Sequence, residues 1–164
     1  MIDLKNDLID LTISVPSTWK MIPREQFEEN NIDKRTLFLF ITEKSKYVSF
    51  MYQCKLREKD FLRLYEDNIE NLKKEGMEIV YEGALKTSGK IKTLKYAFVN
   101  INNGDSKIRI MQNFFLFNDY FINVSTEVNH NINAKNILDL MDDSDVVTLL
   151  KSILSIKWWK KYYN

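Results

Sequence analysis

Residues 91–128 read IKTLKYAFVNINNGDSKIRIMQNFFLFNDYFINVSTEV. Three long alternating runs stand in this stretch: Ile91–Ile101, Lys107–Phe117 and Tyr120–Val128. They are separated by Asn102-Asn103-Gly104-Asp105 and by the pair Asn118-Asp119. Short polar turns between alternating runs mark β-hairpins, because Asn, Asp and Gly tolerate the backbone that a tight turn demands. The stretch therefore reads as an antiparallel meander, and the rest of the chain as its cover.

Strand alternation gives the meander two faces. In the last strand Tyr120, Ile122, Val124 and Val128 point one way, and Phe121, Asn123, Ser125 and Glu127 the other. In the middle strand Ile108, Ile110, Phe114 and Leu116 share a face, opposite Arg109, Met111, Asn113, Phe115 and Phe117. One side reads as aliphatic core, the other as aromatics mixed with amides and charge. A helix is expected to cover most of the mixed face. The remainder is the candidate binding surface, with Arg109, Met111, Asn113, Phe115, Phe117 and Phe121 as its residues.

Working outward, Leu11, Ile13 and Val15 alternate with Asp10, Thr12 and Ser14, a half-buried strand that Pro16 ends. Trp19 then reads as a plug over the end of the core. Pro23 suits the start of a short helical turn across Arg24 to Asn31. Thr36–Thr42 and Tyr47–Cys54 read as a hairpin around Glu43-Lys44-Ser45-Lys46. In its second strand Val48, Phe50 and Tyr52 share a face.

Glu58 to Glu75 carries Phe61, Leu64, Tyr65, Ile69 and Leu72 as one apolar stripe at helical spacing, and Gly76 suits the residue after its end. Met77–Leu85 is then a strand, in which Gly83 marks a bulge or a close backbone approach. A second helix is expected from Asp145 to about Ile156, capped by Ser144, with Val146, Leu149, Leu150, Ile153 and Leu154 on its apolar side. No repeat, linker or domain boundary interrupts the chain. One domain spans 1–164, ending in an aromatic and basic tail at 157–164.

Composition narrows the function classes. The chain has 164 residues, 45% of them hydrophobic, enough for a self-sufficient core. Lys and Arg number 24 against 23 Asp and Glu, a balance that argues against nucleic acid, which needs a sustained positive field. Cys54 is the single cysteine, so no intrachain disulfide forms. The first residues, Met1-Ile2-Asp3-Leu4-Lys5-Asn6-Asp7, do not read as a signal peptide, and a cytoplasmic location is expected.

Candidate chemistry is sparse. His130, the single histidine, lies in an Asn-rich stretch with no nucleophile assigned to it, and reads as a surface residue. Cys54 reads as a small buried hydrophobe. Asp142, Asp143 and Asp145 lack the glycine and distal glutamate of a calcium loop and suit the start of a helix instead. The four glycines, Gly76, Gly83, Gly89 and Gly104, are too scattered to cradle a phosphate. Glu82 has no second carboxylate set against it. No cofactor, metal site or catalytic residue is expected. In the tail, Trp158, Trp159, Tyr162 and Tyr163 interleave with Lys157, Lys160 and Lys161. That mixture serves a protein interface or a lipid headgroup boundary, or packs on the domain, and Trp158 and Trp159 join the candidate binding residues.

The order of elements resembles the PsbP-like fold. A strand ends in Val15-Pro16 and is followed by Trp19. Two strands lead to a helix closed by Gly76. A strand with Glu82-Gly83 then leads into the meander, and Ser152-Ile153 lies in the closing helix. That fold is shared by the photosystem II extrinsic protein, a Ran-binding nuclear import factor and the bacterial DcrB-like group, which includes lipoproteins and chaperones of type VI secretion effectors. The resemblance implies an α+β fold, an α/β/α sandwich around a curved antiparallel sheet, and a family of binders. The lipoprotein members' export signal and lipidated cysteine have no counterpart here, and the Trp-Trp and Tyr-Tyr tail matches no family pattern.

The expected function is a non-enzymatic protein-binding module, chaperone- or adaptor-like, holding a secreted or membrane-bound client on the mixed sheet face. The competing expectations are an immunity-type inhibitor that blocks a toxin by occlusion and a protein peripheral to a membrane surface. An enzyme or small-ligand carrier would need a closed polar pocket. A homodimer through the tail or a sheet edge is a further expectation.

Overall fold

The computed structural model describes residues 1–87, 90–129 and 142–158. Its strands are β1 (Ile2–Asn6), β2 (Leu11–Val15), β3 (Lys20–Met21), β4 (Thr36–Ile41), β5 (Tyr47–Lys55), β6 (Glu78–Leu85), β7 (Ile91–Asn103), β8 (Ser106–Phe117), β9 (Tyr120–Val128) and β10 (Lys157–Trp158). Its helices are α1 (Phe61–Lys74) and α2 (Ser144–Leu154). Seven strands form an antiparallel sheet in the order β3-β4-β5-β9-β8-β7-β6, and β1, β2 and β10 form a small second sheet.

The meander pairs as its turns require. Asn118 and Asp119 both adopt left-handed backbone, φ +49° and +63°, so a two-residue turn sets Phe117 directly opposite Tyr120. Gly104, at φ +65°, stands in the other turn, between the facing residues Asn103 and Ser106.

One face of the large sheet is covered by α1. Its stripe buries Phe61, Tyr65 and Ile69 against Ala97, Val99, Phe114, Leu116 and Phe121. A 3-10 turn, Glu58–Asp60, precedes the helix, and Gly76 ends it at φ +89°, where a Cβ would be strained. The Tyr65 hydroxyl donates to Glu82 Oε1 at 2.6 Å, tying α1 to edge strand β6. Gln53 and Asn68 exchange amide hydrogen bonds at 2.8 and 3.2 Å on the β5 side. Gly83 is the close approach that its position suggests: a Cβ there would collide with the Tyr96 hydroxyl.

The opposite face is covered by several pieces. Leu11, Ile13 and Val15 of the small sheet and Val146, Leu149 and Ile153 of α2 share its core with Phe40, Phe50, Phe98, Phe115 and Val124. Trp19 plugs one end, 7% exposed and 5.5 Å from the Phe40 ring. The two-face expectation needs correction here. Cross-strand partners share a face, and Phe115 pairs with Ile122 while Leu116 pairs with Phe121. Tyr120, Ile122 and Val124 therefore join Asn113, Phe115 and Phe117, whereas Phe121 joins Phe114 and Leu116 under α1.

The ends also differ from expectation. β1 continues the alternation of Ile2, Leu4 and Asn6 and pairs with β2. Asp143, not Ser144, caps α2: its Oδ1 accepts from the N–H groups of Asp145 and Val146 at 2.9 and 3.0 Å. Lys157 and Trp158, expected in the tail, pair with Thr12 and Leu11 of β2. Residues 159–164 lie outside the description.

Candidate functional site

The sheet face expected to bind a partner is core. Met111, Asn113, Phe115, Phe117 and Phe121 are each 0% exposed. Arg109 is half-buried, and its Nε donates to Asn100 Oδ1 at 2.9 Å. The side chain of Trp158, together with Trp159 and His130, lies outside the described residues. Two layers thus close over a surface that alternation alone presents as half-open. Cys54, expected to be buried, is exposed, because a register shift between Tyr52 and Cys54 displaces it from the strand's regular pleat. Partial burial of its sulfur pushes the thiol above its ordinary pKa.

Two of the acids singled out in the sequence have structural partners. Asp145 accepts from Lys44 Nζ at 2.9 Å, and Glu82 accepts from Tyr65. Burial, then the bond to Glu82, pushes the Tyr65 hydroxyl well above its ordinary pKa. Among the described residues no three His, Cys, Asp or Glu side chains cluster as metal ligands, and no helix is long and apolar enough to cross a membrane.

Surface concavities lie elsewhere. One, of about 620 Å³, opens where β5 ends beside the start of α1. Its wall is mostly charged: Lys55, Arg57 and Arg63 against Asp60, Asp67 and Asp119, with Leu56 and Leu64 between. Arg63 and Asp60 stand 3.6 Å apart there, and the Lys55 ammonium sits over the Tyr120 ring.

Another concavity is mixed: Lys5, Asn6, Asp7 and Arg24 line it beside apolar side chains. It holds about 330 Å³ between the β1–β2 turn and the β3–β4 edge. Asn6 fixes one wall. Its side chain, 7% exposed, donates to the Leu37 carbonyl at 2.9 Å and accepts from the Leu8 N–H at 2.9 Å, pinning the turn onto β4. Leu8 is thereby held out at 48% exposure. The other wall follows β3, where the Ile22 N–H donates to the Leu39 carbonyl at 2.8 Å and Met21 stays 48% exposed. Phe27, Leu37 and Phe38 line the depth, each buried. Phe27 is placed by the 3-10 turn Arg24–Gln26 and receives the Ile32 N–H on its carbonyl at 2.9 Å.

A neighbouring depression of about 560 Å³ shares Arg24 and Phe27 with this groove and extends it past Ile32 and Lys34. Sequence reading missed the site because Leu8 and Met21 stand outside any periodic run. The alternation of Ile2, Leu4 and Asn6 was the available signal for the turn that presents Leu8.

No protein-family model matches the sequence, and no curated protein is similar to it in sequence. Solved structures are similar in fold. Cyanobacterial PsbP (CyanoP) from Synechocystis superposes with a TM-score of 0.61 at 8% identity, over 96% of this chain and 92% of that one. The chain has a PsbP-like fold. The Ran-binding protein Mog1p of Saccharomyces cerevisiae superposes on this PsbP-like fold with a TM-score of 0.60 at 8% identity, over 96% and 94% of the two chains. A Bacteroides thetaiotaomicron protein follows with 0.55 at 12% identity, over 93% of this chain and 46% of its own. These likenesses concern the backbone; the Leu8–Met21 groove is read from this chain's own side chains.

Proposed function

We propose that this PsbP-like chain is a non-enzymatic protein-binding module, adaptor- or chaperone-like, which holds a partner segment in the groove between Leu8 and Met21. One observation carries the reading: two half-exposed aliphatic side chains flank an apolar depth, on walls fixed by the Asn6 and Ile22 hydrogen bonds. Exposed apolar side chains around a preformed depression favour association, because their burial removes apolar surface from water without a reorganisation penalty. Mog1p, similar in fold, is a Ran-binding protein, which supports protein recognition as the kind of work.

The test is a photo-crosslinking residue at position 21 in the native host, with position 75, at the far end of α1, as control. One protein captured in a one-to-one product at 21 and absent at 75 is expected. Leu8→Asp and Met21→Asp should each release that protein in a pull-down while leaving the unfolding midpoint unchanged. A partner that both variants retain would place binding elsewhere and sink the groove. The captured protein's activity, free and bound, then separates an adaptor from an inhibitor.

A further inference from the structure

We infer that the partner segment carries a carboxylate beside a bulky apolar side chain, and that Arg24 receives it. This rests on the protein-binding reading of the groove. The depression between Leu8 and Met21 is at the small end of ligand clefts, with room for one or two side chains rather than a folded element. Arg24 stands at its junction with the neighbouring depression, since it lines both.

The state of Arg24 points to an anion. Its guanidinium carbon lies 5.0 Å from the centre of the Phe27 ring, so an aromatic face supports it. It donates to the backbone carbonyls of Lys34, at 3.4 Å, and of Thr36. Two of five donor hydrogens are thus used, both on neutral acceptors. Among the described residues no carboxylate pairs with it, nor with Lys34 on the adjoining wall. Asp33, the acid next to Lys34, is already engaged: Arg35 bonds to it at 2.8 Å and holds its carboxyl down at about 2. Asp7 and Glu28 each line one depression only. The position common to both depressions therefore carries a tethered cation with unused donors, and a tethered guanidinium loses little freedom on taking up a carboxylate.

Short random peptides displayed on phage, selected on the full chain, test this. Enriched peptides should place Asp or Glu beside Phe, Tyr, Trp, Leu or Met. Arg24→Glu should weaken the best of them about tenfold or more, the value of a charge-assisted hydrogen bond. Exchanging the peptide's acid for Lys should restore binding to Arg24→Glu. Arg24→Lys, which keeps the charge, should bind the original peptide more tightly than Arg24→Glu does, at an equal unfolding midpoint. Peptides lost with Met21→Asp but indifferent to Arg24→Glu would overturn the carboxylate while leaving the groove standing. Peptides indifferent to Met21→Asp would overturn the groove itself. If no peptide is enriched, a crosslinked partner bound equally by Arg24→Glu overturns the inference, as does a second copy of this chain captured at position 21.

Discussion

The two faces of the large sheet are closed in different ways. Under α1, one helix lays one apolar stripe on Phe114, Leu116 and Phe121, and the polar groups at its margins are paired: Tyr65 with Glu82, Asn68 with Gln53. The opposite face is closed by β2, α2 and Trp19, which arrive from separate parts of the chain. There, among the described residues, the buried side-chain nitrogen and oxygen of Asn113 find no hydrogen-bond partner, nor does the hydroxyl of Ser152 on α2. A single amphipathic helix brings its polar flanks into register along with its stripe. A composite cover matches volume piece by piece and can strand an amide in its midst. Buried donors and acceptors left unmatched are unfavourable, so the composite face holds an unrealised reserve of stability.

The largest effects test whether both faces are core. Phe121→Ala under α1 and Phe115→Ala under the composite cover should each destabilise by about 3–5 kcal/mol in urea unfolding, as deletion of a buried aromatic does. A loss below about 0.5 kcal/mol for Phe115→Ala, the range of surface positions, would mean that the composite cover is not closed.

Asn113→Leu comes next and has the opposite sign. Replacing an unmatched amide by an apolar side chain of similar size should stabilise by about 1–3 kcal/mol, read as a higher urea midpoint at unchanged slope. A lower midpoint would show that Asn113 is satisfied and would erase the contrast between the faces.

The smallest effect belongs to the tie between α1 and β6. Tyr65→Phe should cost about 1 kcal/mol near neutral pH, the value of one hydrogen bond. Its pH dependence sharpens the point. The folded pKa of Tyr65 lies above its ordinary value of 10.0, because burial and Glu82 both favour the neutral phenol. Its contribution is therefore complete below pH 10 and is lost as pH rises beyond it. Wild type should lose stability more steeply than Tyr65→Phe above pH 10. Tyr96, shifted in the same direction by burial, is present in both proteins and cancels in the difference. Equal slopes would leave the tie without energetic content.

Much of this architecture was legible. The runs of the meander, the α1 stripe, the stop at Gly76, the Trp19 plug and the close approach at Gly83 all follow from local pattern. The pairing of faces was legible too and was misread. A two-residue turn at Asn118-Asp119 sets Phe117 against Tyr120, and the pleat then carries Phe115 to Ile122 and Leu116 to Phe121. Following that register places Phe121 away from Phe115. The exposure of Cys54 was not legible, since a bulge inside β5 leaves no periodic trace. The Leu8–Met21 groove depends on Asn6 reaching Leu37, 31 residues away, a contact that neither residue advertises.

By itself the sequence determined the elements: where strands alternate, where turns take left-handed backbone, and which side of α1 is apolar. These are short-range properties, fixed by sterics and spacing within a few residues. Tertiary structure alone decided which apolar surface stays open. Alternation marks a residue as able to be buried, but burial needs a partner layer. The layers here are set by distant pairings, β10 on β2 and Asn6 on Leu37, which close the face around Phe115 and leave Leu8 and Met21 at the surface.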